Sequence, residues 1–123
     1  MAIFGSSKVR KLSDNNRRAL LVQLHEDIEQ TAEEVTKALM GDKLSDHLTY
    51  PPGAKFTDQE IKSLGAIKSI KNVEIAIKKL IADACSQPLF HLFNNIDGTG
   101  DPEDTRWTGV SLVDKDEKSD QER

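Results

Sequence analysis

The sequence predicts a mainly α-helical fold built around two long amphipathic helices. Charged residues make up 31% of the 123 positions and aromatic residues only 5%, a composition that suits helical surfaces better than a β-sandwich. Apolar residues recur every three or four positions in two long stretches of the chain. A pattern typical of a helix start, at residues 56–61, opens the second stretch.

The first helix is predicted over residues 14–40. Its apolar side chains follow spacings of three and four between Leu21 and Leu39, which places them on one face of a helix. The polar residues at 13–16 are candidate N-caps, because their side-chain oxygens can accept hydrogen bonds from the free amides of a first turn. Gly41 is expected to take the left-handed conformation that ends many helices.

The second helix is predicted over residues 57–86, after a loop rich in proline. Thr57 and Glu60 have the spacing of a capping box, in which each side chain accepts a hydrogen bond from the other residue's backbone amide. One broad apolar face of this helix is expected to be buried, with lysines on the opposite face. The buried face consists of Ile67, Ile70, Val73, Ile77, Leu80, Ile81, Ala84 and Cys85. Two helices of similar length, joined by a loop, predict an antiparallel pair.

The C-terminal third of the chain is predicted to hold shorter elements. Pro88 should end or kink the second helix, and residues 88–96 are then expected to form a short third helix, with a buried strand as the alternative. Residues 107–113 favour a short β segment, which in an α+β alternative belongs to a small C-terminal hairpin. The domain prediction is one helical domain over residues 1–113, followed by a charged, flexible tail over 114–123.

The net charge of −4 is unevenly distributed along the chain. Residues 1–96 carry 13 basic and 12 acidic side chains, whereas residues 97–123 carry four basic and nine acidic ones. An acidic end favours a protein partner with a basic surface and disfavours nucleic acid and anionic membranes. Because the sequence has no apolar run of membrane-spanning length and no signal-peptide pattern, the expected location is cytoplasmic.

Few residues carry patterns typical of catalysis or metal binding. Cys85 is the only cysteine, which excludes an internal disulfide and a multi-cysteine zinc site. No catalytic residue and no cofactor are predicted, so an enzyme is the less favoured class. Four carboxylates near two glycines are weak candidates for a calcium or magnesium site, although turn formation explains the same residues. They are Asp97, Asp101, Glu103 and Asp104.

His25, Glu29 and Glu33 form a row along the first helix, at successive spacings of four. Di-metal helical bundles use two Glu-x-x-His segments, and the sequence contains none, so the row is interpreted as a solvated acidic flank. The lysines of the second helix are candidate partners for this flank, although exposed ion pairs contribute little individually.

The preferred function is a small, soluble, non-enzymatic protein-interaction module: an adaptor, or an inhibitor or immunity-type partner of another protein. Large or stiff side chains that the apolar faces do not obviously bury are its candidate binding residues. They are Tyr50, Pro51, Phe56, Leu64, Ile75 and Trp107. One alternative is a small metal-dependent protein or enzyme that uses the acidic turn at 97–104. The other is a homodimer that pairs through Leu64 and Ile75 or through the C-terminal segment.

Overall fold

A computed structural model describes residues 11–97 and 109–115 of the chain. Three α-helices follow one another in this part: α1 (Asp14–Met40), α2 (Asp58–Ile67) and α3 (Val73–Asp97). A single 3-10 turn, Leu44–His47, lies between α1 and α2. The prediction of a mainly α-helical protein is confirmed.

The chain divides into two compact units. We call residues 25–88 the central unit, and the described residues before and after this range the terminal unit. The middle parts of the sequence therefore pack with one another, whereas the beginning of α1 packs with the end of α3. The prediction of one domain over residues 1–113 stays a prediction.

The start of α1 agrees with the sequence and identifies Ser13 as its N-cap. The Ser13 hydroxyl oxygen accepts a hydrogen bond from the Asn16 backbone N–H at 3.2 Å. The first intrahelical bond runs from the Arg17 N–H to the Ser13 carbonyl at 2.9 Å. A serine side chain thus satisfies one of the four amides that a helix leaves without partners at its start.

Asp114 provides a second cap at the same helix end. Its Oδ1 atom accepts hydrogen bonds from the Ser13 backbone N–H at 2.9 Å and from the Asn16 side-chain amide at 2.8 Å. The Asp114 backbone N–H in turn donates to the Lys11 carbonyl at 3.1 Å. These bonds attach residues 109–115 to the start of α1. The rest of the tail predicted over 114–123 lies outside the described residues beyond Lys115.

The end of α1 corrects the expectation for Gly41. The residue in the left-handed conformation is Asp42, with φ of 60°. Its N–H donates to the Leu39 carbonyl at 3.4 Å, and the Lys43 N–H donates to the Ala38 carbonyl at 2.8 Å. This pair of bonds is the Schellman motif, displaced by one residue from the predicted position. Aspartate tolerates the left-handed region better than most residues, because its short side chain can hydrogen-bond locally.

The prediction of one continuous helix over residues 57–86 is wrong, because residues 68–72 leave the helix. The capping box itself is confirmed: the Glu60 N–H donates to the Thr57 hydroxyl at 3.1 Å, and the Thr57 N–H donates to the Glu60 carboxylate at 2.8 Å. Two local features explain the break. The Ser69 hydroxyl donates to the Ala66 carbonyl at 3.1 Å, which competes with helical bonding. Asn72 is left-handed, with φ of 66°.

The prediction of a separate third helix over 88–96 is also wrong, since these residues continue α3. Pro88 lies inside α3 and does not end it. The strand alternative for residues 89–96 is excluded by the same helix. Leucine and phenylalanine residues at helical spacing follow Pro88, and the helix continues through them although proline lacks a backbone N–H donor.

The predicted β segment over 107–113 is not found in its described part, because residues 109–113 have no regular secondary structure. Gly109 has φ of 96°, which is incompatible with an extended strand. Residues 107 and 108 lie outside the described part. The alternative with a C-terminal hairpin is therefore wrong over residues 109–113.

The core of the central unit lies along one face of α1. Ile28, Ala32, Ala38 and Leu39 are buried there. Thr36 is buried as well, and its hydroxyl donates to the Ala32 carbonyl at 2.6 Å, so burial leaves no polar atom of this side chain without a partner. The small size of two of these residues lets neighbouring side chains approach α1 closely.

Residues from α2 and α3 cover this face of α1 only in part. Seven apolar residues of these two helices in the central unit are half-buried: Leu64, Ile67, Val73, Ile77, Ile81, Ala82 and Cys85. The expectation that Ile70, Leu80 and Ala84 are buried is wrong, because Ile70 and Leu80 are 57% and 68% exposed and Ala84 is exposed as well. Ile70 lies in the break between the helices. Leu80 lies on the flank of the stripe that Val73, Ile77 and Ile81 form at spacings of four.

We expect Asn72→Ala to lower the free energy of unfolding by about 1 kcal/mol. Alanine has a Cβ atom, which disfavours positive φ, and it lacks the polar side chain with which asparagine can hydrogen-bond locally. Asn72→Gly should be neutral or stabilising, since glycine adopts this conformation at no steric cost. Urea unfolding followed by circular dichroism measures both variants. Equal effects of alanine and glycine would contradict the role given to the left-handed backbone.

Candidate interaction surfaces

Many large apolar side chains remain exposed in the described residues. Thirteen of them are exposed: Leu20, Leu21, Val22, Tyr50, Ile61, Ile70, Ile75, Leu80, Phe90, Leu92, Val110, Leu112 and Val113. Within the described part, no large side chain is completely buried. Contiguous exposed apolar surface marks sites for partners or ligands, whereas scattered exposed residues do not. The exposed residues that line a concavity are therefore the informative ones.

The candidate residues predicted from the sequence fall in different places. Tyr50 is 83% exposed and Pro51 is also exposed, in a loop with a cis peptide bond between them. Phe56 and Leu64 are half-buried and line one shallow groove along the start of α2. Trp107 lies outside the described residues.

Ile75 stands at a different surface, which we call the Ile75 cleft. This cleft has a volume of about 160 Å³ and lies between α1 and α3 of the central unit. Its lining consists of Glu33, Thr36, Lys37, Glu74, Ile75 and Lys78. Ile75 is 61% exposed, so an apolar side chain stands in water among four charged ones.

The charges around the Ile75 cleft are connected. The Glu33 Oε1 atom forms an ion pair with the Lys37 Nζ atom at 3.1 Å, across one turn of α1. The pKa of Glu33 lies below the ordinary value for glutamate, because Lys37 donates a hydrogen bond to it and because the charges of Lys37 and Lys78 attract its anion. Glu33, one residue of the acidic flank of α1, thus shares the cleft with Lys78 of α3 and is attracted by its charge.

We expect Lys37→Met to raise the pKa of Glu33 toward its ordinary value by more than Lys78→Met does. The reason is that Lys37 supplies both the hydrogen bond and a charge, whereas Lys78 supplies a charge alone. Carbon-detected NMR titration of the Glu33 carboxyl measures the pKa. Folding lowers the pKa of Glu33. The stabilisation that ionised Glu33 contributes is therefore present above its unfolded-state pKa and is lost as pH falls through its folded-state pKa. Equal shifts in the two variants would contradict the assignment.

A second concavity lies in the terminal unit, and we call it the Arg17 groove. Its volume is about 290 Å³. Six apolar residues form most of its wall: Leu12, Leu20, Leu21, Phe93, Ile96 and Leu112. Arg17 and Ser111 complete the lining. The groove thus combines the first turns of α1, the last turns of α3 and the segment that Asp114 holds.

Only one of the four candidate metal ligands, Asp97, lies in the described part of the chain. Asp101, Glu103 and Asp104 lie outside the described residues, and Asp97 is the last residue of α3. Among residues 11–97 and 109–115, no three histidine, cysteine, aspartate or glutamate side chains are grouped as a metal site requires. The metal-dependent alternative stays a prediction.

Sequence reasoning missed most residues of both concavities. For the Ile75 cleft a signal was present, because Glu33 and Lys37 have the spacing of four that favours an ion pair on a helix. Lys78 belongs to the face of lysines predicted for the second helix, and in the structure it is half-buried. The Arg17 groove offers no such local signal, since its walls come from three distant segments.

No helix in the described residues has the length and apolar character needed to cross a membrane. Comparison with protein-family models, curated proteins and solved structures gives no significant match for this chain.

Proposed function

We propose that the chain is a non-enzymatic protein-interaction module that binds its partner through the Ile75 cleft. The observation that supports this proposal is the 61% exposure of Ile75 within a charged concavity. An isoleucine in water loses the stabilisation that its burial would provide, about 1.5–3 kcal/mol for a complete side chain. A partner that covers Ile75 recovers part of this free energy.

The composition of the cleft suits a protein partner. Binding hot spots place an apolar anchor at the centre of a contact and surround it with groups that exclude water. Ile75 has the position of such an anchor, and Glu33, Lys37, Glu74 and Lys78 have that of the rim. Two carboxylates and two ammonium groups around one apolar residue favour a partner with both signs of charge in a complementary order.

The residues that line the Ile75 cleft lie on two helices, so their backbone is already ordered before binding. Ile75 lies in the first turns of α3, and the opposite wall belongs to the buried part of α1, where Thr36 bonds to the Ala32 carbonyl. A surface on helices loses less conformational entropy on binding than a surface on loops. The cleft therefore has the preorganisation that an adaptor or inhibitor needs.

The test compares Ile75→Ser with Leu80→Ser in affinity purification of the tagged full-length chain, followed by quantitative mass spectrometry. Leu80 is a matched control, since it is 68% exposed on the same helix and does not line the cleft. Five positions further along α3, it is rotated by about 140° from Ile75 at 3.6 residues per turn. We expect Ile75→Ser to reduce recovery of a stoichiometric partner at least tenfold, and Leu80→Ser to leave recovery unchanged.

Unchanged circular dichroism and melting temperature show that both variants are folded. The proposal fails if the wild-type chain recovers no stoichiometric partner, or if the two variants reduce recovery equally. Light scattering distinguishes the homodimer alternative. A wild-type dimer that Ile75→Ser converts to a monomer would replace the adaptor by a self-associating protein.

A further inference from the structure

The Arg17 groove is a mainly apolar concavity. Six of its eight lining residues are large and apolar, and three of these six, Leu20, Leu21 and Leu112, are about two-fifths exposed. Ligand sites in proteins are concave, mainly apolar and equipped with a few polar groups that fix orientation. The groove, in which two lining residues are polar, has this composition.

Arg17 determines which charge a ligand of the groove should carry. It is the charged residue among the eight that line the groove. Its Nη2 atom bonds to the Asp14 carboxylate at 2.8 Å, across one turn at the start of α1. A guanidinium group carries five N–H donors, so this bond holds the side chain and leaves donors for a second carboxylate. A cation at an apolar wall favours an anion with an apolar body.

The volume of the groove limits the size of that body. An apolar cavity of roughly 150 Å³ holds a benzene molecule, and the groove is about twice as large, at about 290 Å³. An unbranched chain of about eight carbons with a terminal acid group is of this size. A much longer chain would extend beyond the walls into water.

We propose that the Arg17 groove binds a small amphipathic monoanion, a linear carboxylate whose alkyl chain lies against the apolar wall and whose acid group bonds to Arg17. This site is separate from the Ile75 cleft, because the two concavities share no lining residue. The Ile75→Ser variant should therefore bind such a ligand like the wild-type chain. Failure of one proposal leaves the other intact.

The test is a titration of the ¹⁵N-labelled full-length chain with sodium octanoate, followed by backbone amide shifts. Octanoate has about ten non-hydrogen atoms, for which we expect a Kd on the order of 1 mM or below. The amides of Leu20, Leu21, Phe93 and Leu112 should shift and saturate. 1-Octanol and n-octylammonium keep the chain and change the head group. We expect octanol to bind about tenfold more weakly, since it lacks the charge-assisted bond to Arg17, and octylammonium to bind more weakly still.

Two neighbouring arginines provide matched variants, because Arg17 lines the groove and Arg18 does not. Arg17→Gln should reduce octanoate affinity about tenfold, to the level of octanol, and leave octanol binding unchanged. Arg18→Gln removes the same charge and should leave both affinities unchanged. Leu112→Gln, at a partly exposed position, should weaken octanoate and octanol together, since it alters the wall and not the cation.

Several outcomes would overturn the proposal. Equal affinities of octanoate and octanol for the wild-type chain would contradict it, as would equal effects of Arg17→Gln and Arg18→Gln on the octanoate affinity. Shifts that do not saturate at roughly ten times the expected Kd, or that map to the Ile75 cleft, would mean that the groove is not a carboxylate site. Saturable shifts at the groove that require both the carboxylate and Arg17 would support it.

Discussion

Replacing Leu39 with alanine is expected to lower the free energy of unfolding by about 2–4 kcal/mol, the cost of removing a buried leucine side chain. Leu39 is 5% exposed on the core face of α1. It also lines a cavity of about 30 Å³ together with Leu44, Ile61 and Leu64. The substitution would enlarge this void, because the surrounding helices can close it only in part.

The matched control is Leu80→Ala, the same chemical change at a side chain that is 68% exposed. We expect this variant to remain within about 0.5 kcal/mol of the wild-type chain, as exposed substitutions do. Urea unfolding followed by circular dichroism gives both values. Equal destabilisation at the two positions would mean that the core is not where the structure places it.

Replacing Pro88 with alanine is expected to raise the free energy of unfolding by about 1–3 kcal/mol. Pro88 lies inside α3 and is exposed, so no buried packing is lost with its ring. Proline in a helix interior removes one backbone hydrogen bond and crowds the preceding turn, at about 3 kcal/mol relative to alanine. Part of the gain is offset, because proline also restricts the unfolded chain.

Gln87→Ala is the control for Pro88→Ala, since it changes the neighbouring exposed residue and keeps the backbone bonds of α3. It should alter stability by about 0.5 kcal/mol or less. The two variants are compared by melting temperature and by urea unfolding. A destabilised Pro88→Ala variant would contradict the expectation and would show that the proline fits α3 without cost.

The features that the sequence predicts well depend on neighbours within one helical turn. The capping box of Thr57 and Glu60 needs only two residues three positions apart, and both of its bonds are present. The bounds of α1 follow from a continuous apolar stripe between polar residues at its start and Gly41 at its end. Local patterns of this kind determine local structure because their partners are always within reach.

The break between α2 and α3 was missed because apolar spacing continues through it. Ile67, Ile70 and Val73 follow one another at spacings of three, a periodicity that predicts a continuous helix. In the structure, Ser69 and Asn72 terminate the helix within this run. The opposite holds at Pro88, where the apolar residues around one unfavourable residue continue the helix. Periodicity and helix-breaking residues carry comparable free energies here, so neither decides alone.

The candidate surfaces were harder to predict, since exposure depends on what the rest of the chain covers. The sequence predicts Ile75 as a binding residue outside the apolar faces, and it is exposed. The rim of its cleft joins two helices, and Arg17 meets Phe93 and Leu112 only after the chain has folded. Such contacts between distant segments leave no mark on a single stretch of sequence.

The bonds of Asp114 to the start of α1 have a consequence for synthesis of the chain. Ser13 leaves the ribosome 101 positions before the carboxylate that completes its cap. Until then the first turn of α1 has the Ser13 cap and the Asp14–Arg17 pair but not the bonds to Asp114. Closing so long a loop carries an entropic cost. Nascent chains that stop before Asp114 lack the acceptor of the Ser13 backbone amide, so amide exchange at Ser13 in a ladder of truncated chains would report when this cap is completed.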